Sequence, residues 1–161
     1  MKSQTEARLE ALGLVLPEPF TAPSGRPYPF SWVRVQGSRV FVSGHLPQMP
    51  DGSLAEPLGK VGAEVSVDQA VGAARLVALA TISSLKRAVG DLDRLVWLRV
   101  FGMVNVAPGF EDIPTVVNGF SELIRDVFGP ERGNHARSAV GMAQLPFRVP
   151  VEIEAELELV D

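Results

Sequence analysis

The chain contains no cysteine among its 161 residues. Disulfides, thiol nucleophiles and thiolate-ligated zinc or iron–sulfur centres are thereby excluded. Histidine is nearly as scarce: His45 and His135 are the only two, with no HxxxH or HxH spacing, so no metal site is expected. Lys/Arg clusters are missing too, and the formal net charge is −4. That balance disfavours broad attachment to a nucleic-acid backbone or an anionic membrane. No run approaches the ~18 apolar residues of a membrane span, and the start, MKSQTEARLEALGLVL, lacks the uninterrupted apolar core of a signal peptide. The expectation is a cytoplasmic protein with no membrane contact. A Gly-x-Ser-x-Gly elbow, a Walker loop and a dinucleotide fingerprint are all absent, and Gly59-Lys60-Val61-Gly62 lacks the rest of a phosphate loop. Serine hydrolase, NTPase and Rossmann dehydrogenase readings therefore fall away, and no cofactor is expected.

What is present reads as an ordinary folded domain. Apolar residues make up 46% and charged residues 21%, and the length suits one core, so residues 1–161 are expected to form a single domain. Residues 3–12 place Ala7, Leu9 and Leu12 at helix-like spacing before Gly13, which predicts a short helix packed as an appendage. Pro17, Pro19, Pro23, Pro27 and Pro29 then make an extended arm, so that residues 1–29 are helix plus proline-rich arm. Trp32 to Val35 and Arg39 to Ser43, separated by Gln36-Gly37-Ser38, predict a hairpin whose second strand ends in a turn at Ser43-Gly44. A long loop follows. Ser66 and Gln69 have capping-box spacing and open a helix that runs to Gly90. RLVWLRVFGMVNV is an inner strand, and a second helix follows Asp112 and Pro114, stopped by Gly129 and weakened inside by Asn118-Gly119. ARSAVGMAQLP and PVEIEAELELV are the last two strands. This order implies an α+β domain with two main helices over one face of a mixed sheet, plus the short N-terminal helix.

Three features carry potential chemistry. In HARSAVGMAQLP, strand periodicity puts Arg137, Ala139, Gly141 and Ala143 on one face and Ser138, Val140 and Met142 on the other. An arginine among small neighbours fits a shallow anion pocket, and it equally fits an exposed or ion-paired side chain beside a closely packed element. In VEIEAELEL, Glu152, Glu154, Glu156 and Glu158 share one face. Any member removed from water has its pKa raised, which suits a general base or acid, but spacing alone does not say which member that is. The aromatics Phe20, Tyr28, Phe30, Trp32 and Phe41 are candidates for core or for a pocket lining.

VSGHLP, VVNGFSEL, HARSAVGMAQLP and VPVEIEAE, taken in order, resemble the Rid family, also called YjgF or RidA-like and once labelled L-PSP endoribonuclease. The resemblance covers roughly Phe30 to the C-terminus, and the longer N-terminus resembles the branch labelled chorismate-mutase-like or endoribonuclease. It implies a chorismate-mutase-like fold, assembled as a homotrimer whose sheets form a barrel and whose clefts lie between subunits. It also implies hydrolysis of reactive enamines and imines, such as 2-aminoacrylate and 2-iminopropionate, to 2-keto acids and ammonia. By motif, Arg137 corresponds to the arginine that binds the substrate carboxylate, and a guanidinium fork suits a planar carboxylate. Glu152 corresponds to the residue that activates water, Asn118 to a helix asparagine near the site, and Ser43 with Gly44 to the turn that lines it. An iminium carbon is already electrophilic, so placement and one base suffice without metal or cofactor.

The chain departs from the pattern at three positions: Phe30 stands where many members have tyrosine, with Tyr28 two residues earlier as a substitute, Gly141 where some have glutamate, and Ala139 where some have cysteine. The first alternative to a deaminase is accordingly a non-enzymatic trimer that binds a small carboxylate. Acidic charge and the lack of a basic, aromatic-studded groove argue against a ribonuclease. A chorismate mutase rests on fold-level analogy alone.

Overall fold

Local chemistry starts and stops the helices. In the computed structural model, which describes residues 3–161, the Ser3 hydroxyl accepts the Glu6 N–H while the Glu6 carboxylate accepts the Ser3 N–H, opening α1 (Gln4–Ala11). Gly13, at φ +65°, closes it: the Gly13 and Leu14 N–H groups reach back to the Glu10 and Leu9 carbonyls. Ser66 and Gln69 form the second capping box, at the start of α2 (Val67–Val89). Helix α3 (Ile113–Arg132) follows Asp112, whose side chain makes no capping bond. Gly129 breaks the helix without ending it, since Pro130 to Arg132 add a further turn beyond its non-helical φ 85°, ψ 172°.

Five strands form one sheet: β1 (Val33–Gln36), β2 (Arg39–His45), β3 (Leu95–Asn105), β4 (Ala136–Met142) and β5 (Val151–Leu159), in the order β1-β2-β5-β3-β4. β5 is antiparallel to both β2 and β3, so those two run parallel and α2 is the crossover between them. α3 is the crossover between the parallel pair β3 and β4. Both helices cover one face, as the sequence predicts. Val151, Ile153, Ala155 and Leu157 of β5 are buried beneath them, together with Trp97 and the rings of Phe120 and Phe128. The sheet of a single chain is open, with β1 and β4 as its edges. Among the described residues no helix is long and apolar enough to cross a membrane.

Three sequence expectations are corrected. Ser43-Gly44 is no turn: β2 continues to His45 through a bulge between Val42 and His45, which bends the strand without ending it. Helix α1 is more than a packed appendage, because Thr5 and Leu9 are buried and the Asp93 carboxylate accepts the N–H groups of Gln4 (2.7 Å) and Thr5 (2.9 Å), the Thr5 hydroxyl (2.6 Å) and Arg132 Nη2 (3.1 Å). Asn118-Gly119 is no weak point, since a side chain at Gly119 would overlap the Val71 carbonyl of α2. Here the residue with the poorest intrinsic helix propensity short of proline lets two helices touch.

The Asp93 clamp gives a stability prediction. Desolvation pushes its carboxyl upward, but the hydrogen bonds from Thr5 and Gln4 and the charge of Arg132 outweigh it and hold the pKa below the usual value. A carboxyl depressed in the folded state stabilises above its unfolded pKa, and that contribution is lost as pH falls through the folded value. Asp93→Ala is expected to cost about 3 kcal/mol at neutral pH and to release α1, read as a lower urea midpoint and faster amide exchange in residues 4–11.

Candidate functional site

The four glutamates of β5 are equivalent in spacing and differ in surroundings. Glu154 and Glu158 are exposed, while Glu156 lies 3.8 Å from Arg99 and 4.0 Å from Arg39. Glu152 turns into a cleft of about 280 Å³ walled by Phe20, Tyr28, Phe30, Trp32 and Phe147. Loss of water raises its carboxyl above the ordinary carboxylate value, and the neighbouring Glu154 charge pushes the same way. Removing water thus singles out the member that spacing alone left open.

The proline-rich arm supplies most of the walls. Its backbone runs against the segment after β2, with the Glu18 N–H on the Pro50 carbonyl (2.9 Å) and the Thr21 N–H on the Gly52 carbonyl (3.0 Å). Arm and strand together stack Tyr28 on Phe30 at 5.5 Å and set Trp32 edge-on to Phe30 at 4.9 Å and to Phe20 at 5.7 Å. Of the five aromatics noted in the sequence, these four line the cleft; Phe41 lies apart in a neighbouring hollow beside Arg99 and Glu154. Phe147 is a wall of the cleft that carries no signal in the sequence. It and Arg148 are consecutive non-glycine residues at φ 55° and 61°, a left-handed pair that nothing in QLPFRVP announces.

Gly44 and Ser43 divide between the two hollows. Gly44 lies against the Glu152 carboxylate, where any Cβ would overlap it, so glycine is needed at this point of the bulge. Ser43 lines the neighbouring hollow, and its hydroxyl donates to the Ser31 carbonyl at 2.7 Å, tying down the chain between Phe30 and Trp32.

Arg137 and Asn118 form a second cluster. Arg137 Nη1 donates to Asn118 Oδ1 (2.9 Å) and Ser121 Oγ (3.2 Å), and Nη2 to the Pro114 carbonyl (3.4 Å). Three of the five guanidinium N–H groups are thus held by α3, and two remain for a ligand. His135 extends the network: its Nδ1–H donates to the Gly133 carbonyl (2.8 Å), which leaves Nε2 to accept the Ser121 hydroxyl (2.9 Å). Ser121 was overlooked in the sequence, although its position three residues after Asn118 puts both on one helix face. Ala139 and Gly141 make no room beside Arg137; Ala139 packs on the core, and a Cβ at Gly141 would press on Val106 and Ile113. Their small size serves the approach of α3.

The two clusters do not meet within one chain. Arg137 is level with Val100 and Ala155 on the helix-covered face, whereas Glu152 pairs with Met103 on the open face. Arg137, Asn118, Ser121 and His135 border a hollow of about 320 Å³ at the β4 edge.

An open mixed sheet with two crossover helices on one face and a carboxyl in an aromatic cleft defines an α+β protein of the chorismate-mutase-like architecture. The family described as "YjgF/chorismate mutase-like, putative endoribonuclease" matches residues 6–152. Protein TCP17 of Trypanosoma cruzi is 44% identical over 156 residues, which is 95% of this chain and 92% of that protein. The crystal structure of Atu1372 from Agrobacterium tumefaciens is 38% identical with a TM-score of 0.84, over 97% of this chain and 94% of that one. A structure from Shewanella oneidensis, described as "a putative endoribonuclease", is 32% identical with a TM-score of 0.86, over 98% and 100% of the two chains. The chain belongs to the YjgF family, also called Rid.

Proposed function

We propose that the protein hydrolyses 2-imino acids and their enamine tautomers to 2-keto acids and ammonia, in clefts completed between the copies of a homotrimer. The observation that carries this reading is Glu152, a carboxyl with raised pKa in an apolar cleft, where it serves as a general base near neutral pH. In the proposed reaction Arg137 of one subunit binds the substrate carboxylate through its two remaining N–H groups, and Asn118 holds that arginine in place. Glu152 of the neighbouring subunit takes a proton from water as the water oxygen bonds to the imine carbon and the C=N π pair moves to nitrogen. With the substrate as its iminium, the carbinolamine nitrogen takes that proton back from Glu152, and the C–N bond breaks with its electron pair going to nitrogen, so that ammonia leaves. The hydroxyl becomes the carbonyl as its proton passes to Glu152 and on to solvent. Arrangement across an interface accounts for the placement of Arg137 and Glu152 on opposite faces of one sheet. Gly44 shapes the base side of the cleft and Ser43 acts indirectly, by holding the chain between Phe30 and Trp32, while Phe30 and Tyr28 stack over the substrate's side chain. Five aromatic walls and about 280 Å³ favour large apolar or aromatic side chains over the methyl group of 2-iminopropionate.

The test generates imines in situ with an amino-acid oxidase and traps them with semicarbazide. Wild-type protein is expected to speed imine loss, most for aromatic imino acids, and Arg137→Ala to lose at least tenfold of that rate. A rate indistinguishable from buffer across the series overturns the reading.

A second reading, a trimer that binds small carboxylates without turnover, is favoured by Ala139 and Gly141, which leave Arg137 without another polar side chain from its own strand face. Saturable 2-keto acid binding beside absent hydrolysis selects it. The acidic net charge of −4 supports neither RNA binding nor cleavage.

A further inference from the structure

Both histidines of this chain sit in the same hydrogen-bond pattern. His45 Nδ1–H donates to the carbonyl two residues before it, at Ser43 (2.6 Å), and His135 does the same to Gly133 (2.8 Å). In each case Nε2 accepts a serine hydroxyl from a helix, Ser84 of α2 at 2.8 Å or Ser121 of α3 at 2.9 Å. That serine oxygen in turn accepts an arginine N–H, from Arg87 Nη2 at 3.0 Å or Arg137 Nη1 at 3.2 Å. Arg87 is further held by the Ser83 hydroxyl (2.6 Å) and the Pro17 carbonyl (3.4 Å). Three of its five N–H groups are committed and two remain, as at Arg137.

Arg87 stands at a cavity of about 200 Å³ that is separate from the Arg137 hollow and lies behind the aromatic cleft, sharing Phe20, Trp32 and Leu46 with it. Three polar side chains more than nine-tenths buried line it: His45 (3% exposed), Gln48 (5%) and Ser84 (7%). His45 and Ser84 satisfy each other, whereas the Gln48 side chain lines the cavity wall and makes no hydrogen bond to a described residue. Gln48 thus offers its amide to the cavity, where the polar edge of a ligand can meet it. Trp32 and Phe20 provide the apolar walls, and the space exceeds the ~150 Å³ that holds a benzene molecule. Burial draws the pKa of His45 down to about 4, against the opposing pull of the Ser43 carbonyl, so the ring is neutral at pH 7. Arg87 is then the one cation among the cavity-lining residues.

We infer that this intrachain cavity, built by the N-terminal arm, the end of β2 and α2, is a second ligand site that takes a ring-sized planar carboxylate. The carboxylate meets the free N–H groups of Arg87 at the mouth, the ring lies against Trp32 and Phe20, and the Gln48 amide hydrogen-bonds the ligand's polar edge. The site is independent of the hydrolytic reading of the Glu152 cleft, because none of its polar groups belongs to that chemistry.

Titration of benzoate into the full chain, followed by calorimetry and by Trp32 fluorescence, tests the inference. Saturable binding is expected in the wild type and is expected to persist in Arg137→Ala, where the carboxylate anchor at the β4 edge is gone and the Arg87 site remains. Arg87→Gln is expected to weaken it about tenfold, or about 1.4 kcal/mol. Because Arg87 also steadies the arm, Gln48→Leu serves as the second variant; it leaves every Arg87 contact intact and is expected to weaken benzoate several-fold. Absence of saturable binding, equal affinity in both variants, or loss of binding in Arg137→Ala overturns the proposal. The last result would place the carboxylate at the β4 edge instead.

Discussion

Mixing Arg137→Ala subunits with Glu152→Gln subunits is expected to restore imine hydrolysis that neither variant shows alone. Each single variant should fall by about 100-fold or more, because one removes the proposed carboxylate anchor and the other the proposed general base. If a cleft takes its arginine from one copy and its glutamate from the next, an equal mixture contains intact clefts. Half the arginine donors are competent and so are half the glutamate donors, so about a quarter of the clefts are whole. About a quarter of wild-type activity should therefore return after co-refolding, far above the sum of the parents. Activity that stays at the level of the parents would show that the two residues do not share a cleft, and would refute the shared-site reading even if the wild type hydrolyses imines.

The same proposed base predicts the acid limb of the proposed hydrolysis. Desolvation first, and the Glu154 charge second, raise the Glu152 carboxyl. The rate should thus fall on acidification at a pH above that of an ordinary glutamate, and Glu154→Gln should move the limb to lower pH. The stability sign is opposite. A carboxyl raised in the folded state stabilises below its unfolded pKa, and that contribution is lost as pH rises through the folded value. Glu152→Gln is consequently expected to be no less stable than wild type at neutral pH, which separates its loss of activity from any loss of fold.

Gly119→Ala is expected to destabilise by about 3 kcal/mol, while Gly72→Ala in the partner helix stabilises by about 1 kcal/mol. On propensity alone both changes should help, since alanine in a helix interior is favoured over glycine by about 1 kcal/mol. Nothing lies within 4 Å of a Cβ at Gly72, and the propensity gain stands there. At Gly119 the added carbon would overlap the Val71 carbonyl and touch its side chain at 3.0 Å. A backbone carbonyl inside α2 cannot swing aside as a side chain would, so α2 and α3 must separate over buried Val116, Val117 and Phe120. Overpacking of this kind costs about 1–3 kcal/mol, and the lost contacts along the helix pair add to it. Urea midpoints of the two variants give the comparison; two stabilised proteins would mean that the helices are not in close contact at Gly119.

Much of this protein follows from local pattern. Ser66 with Gln69, the period-two run of β5 and the glycine after α1 each specify an element because the groups involved lie within a few residues of one another. Ser43-Gly44 reads as a turn because the residue composition of a bulge resembles that of a turn; only the partner strand shows that pairing resumes at His45 and Ile153. Gly119 looks like a flaw for a related reason, as propensity concerns one helix and the value of this glycine lies in the second.

By itself the sequence determined the α+β class, the order of the strands and helices, the face on which the β5 glutamates lie, and the family that its four motifs resemble. Tertiary structure decided which of four equally spaced glutamates loses its water, because that depends on Phe20, Tyr28, Phe30 and Trp32 folding back over β5 from more than a hundred residues away. It also decided that Arg137 and Glu152 lie on opposite faces, and that His45, Gln48, Ser84 and Arg87 enclose one cavity. Dielectric surroundings and shared cavities are sums over everything nearby in space, and no period along the chain encodes them.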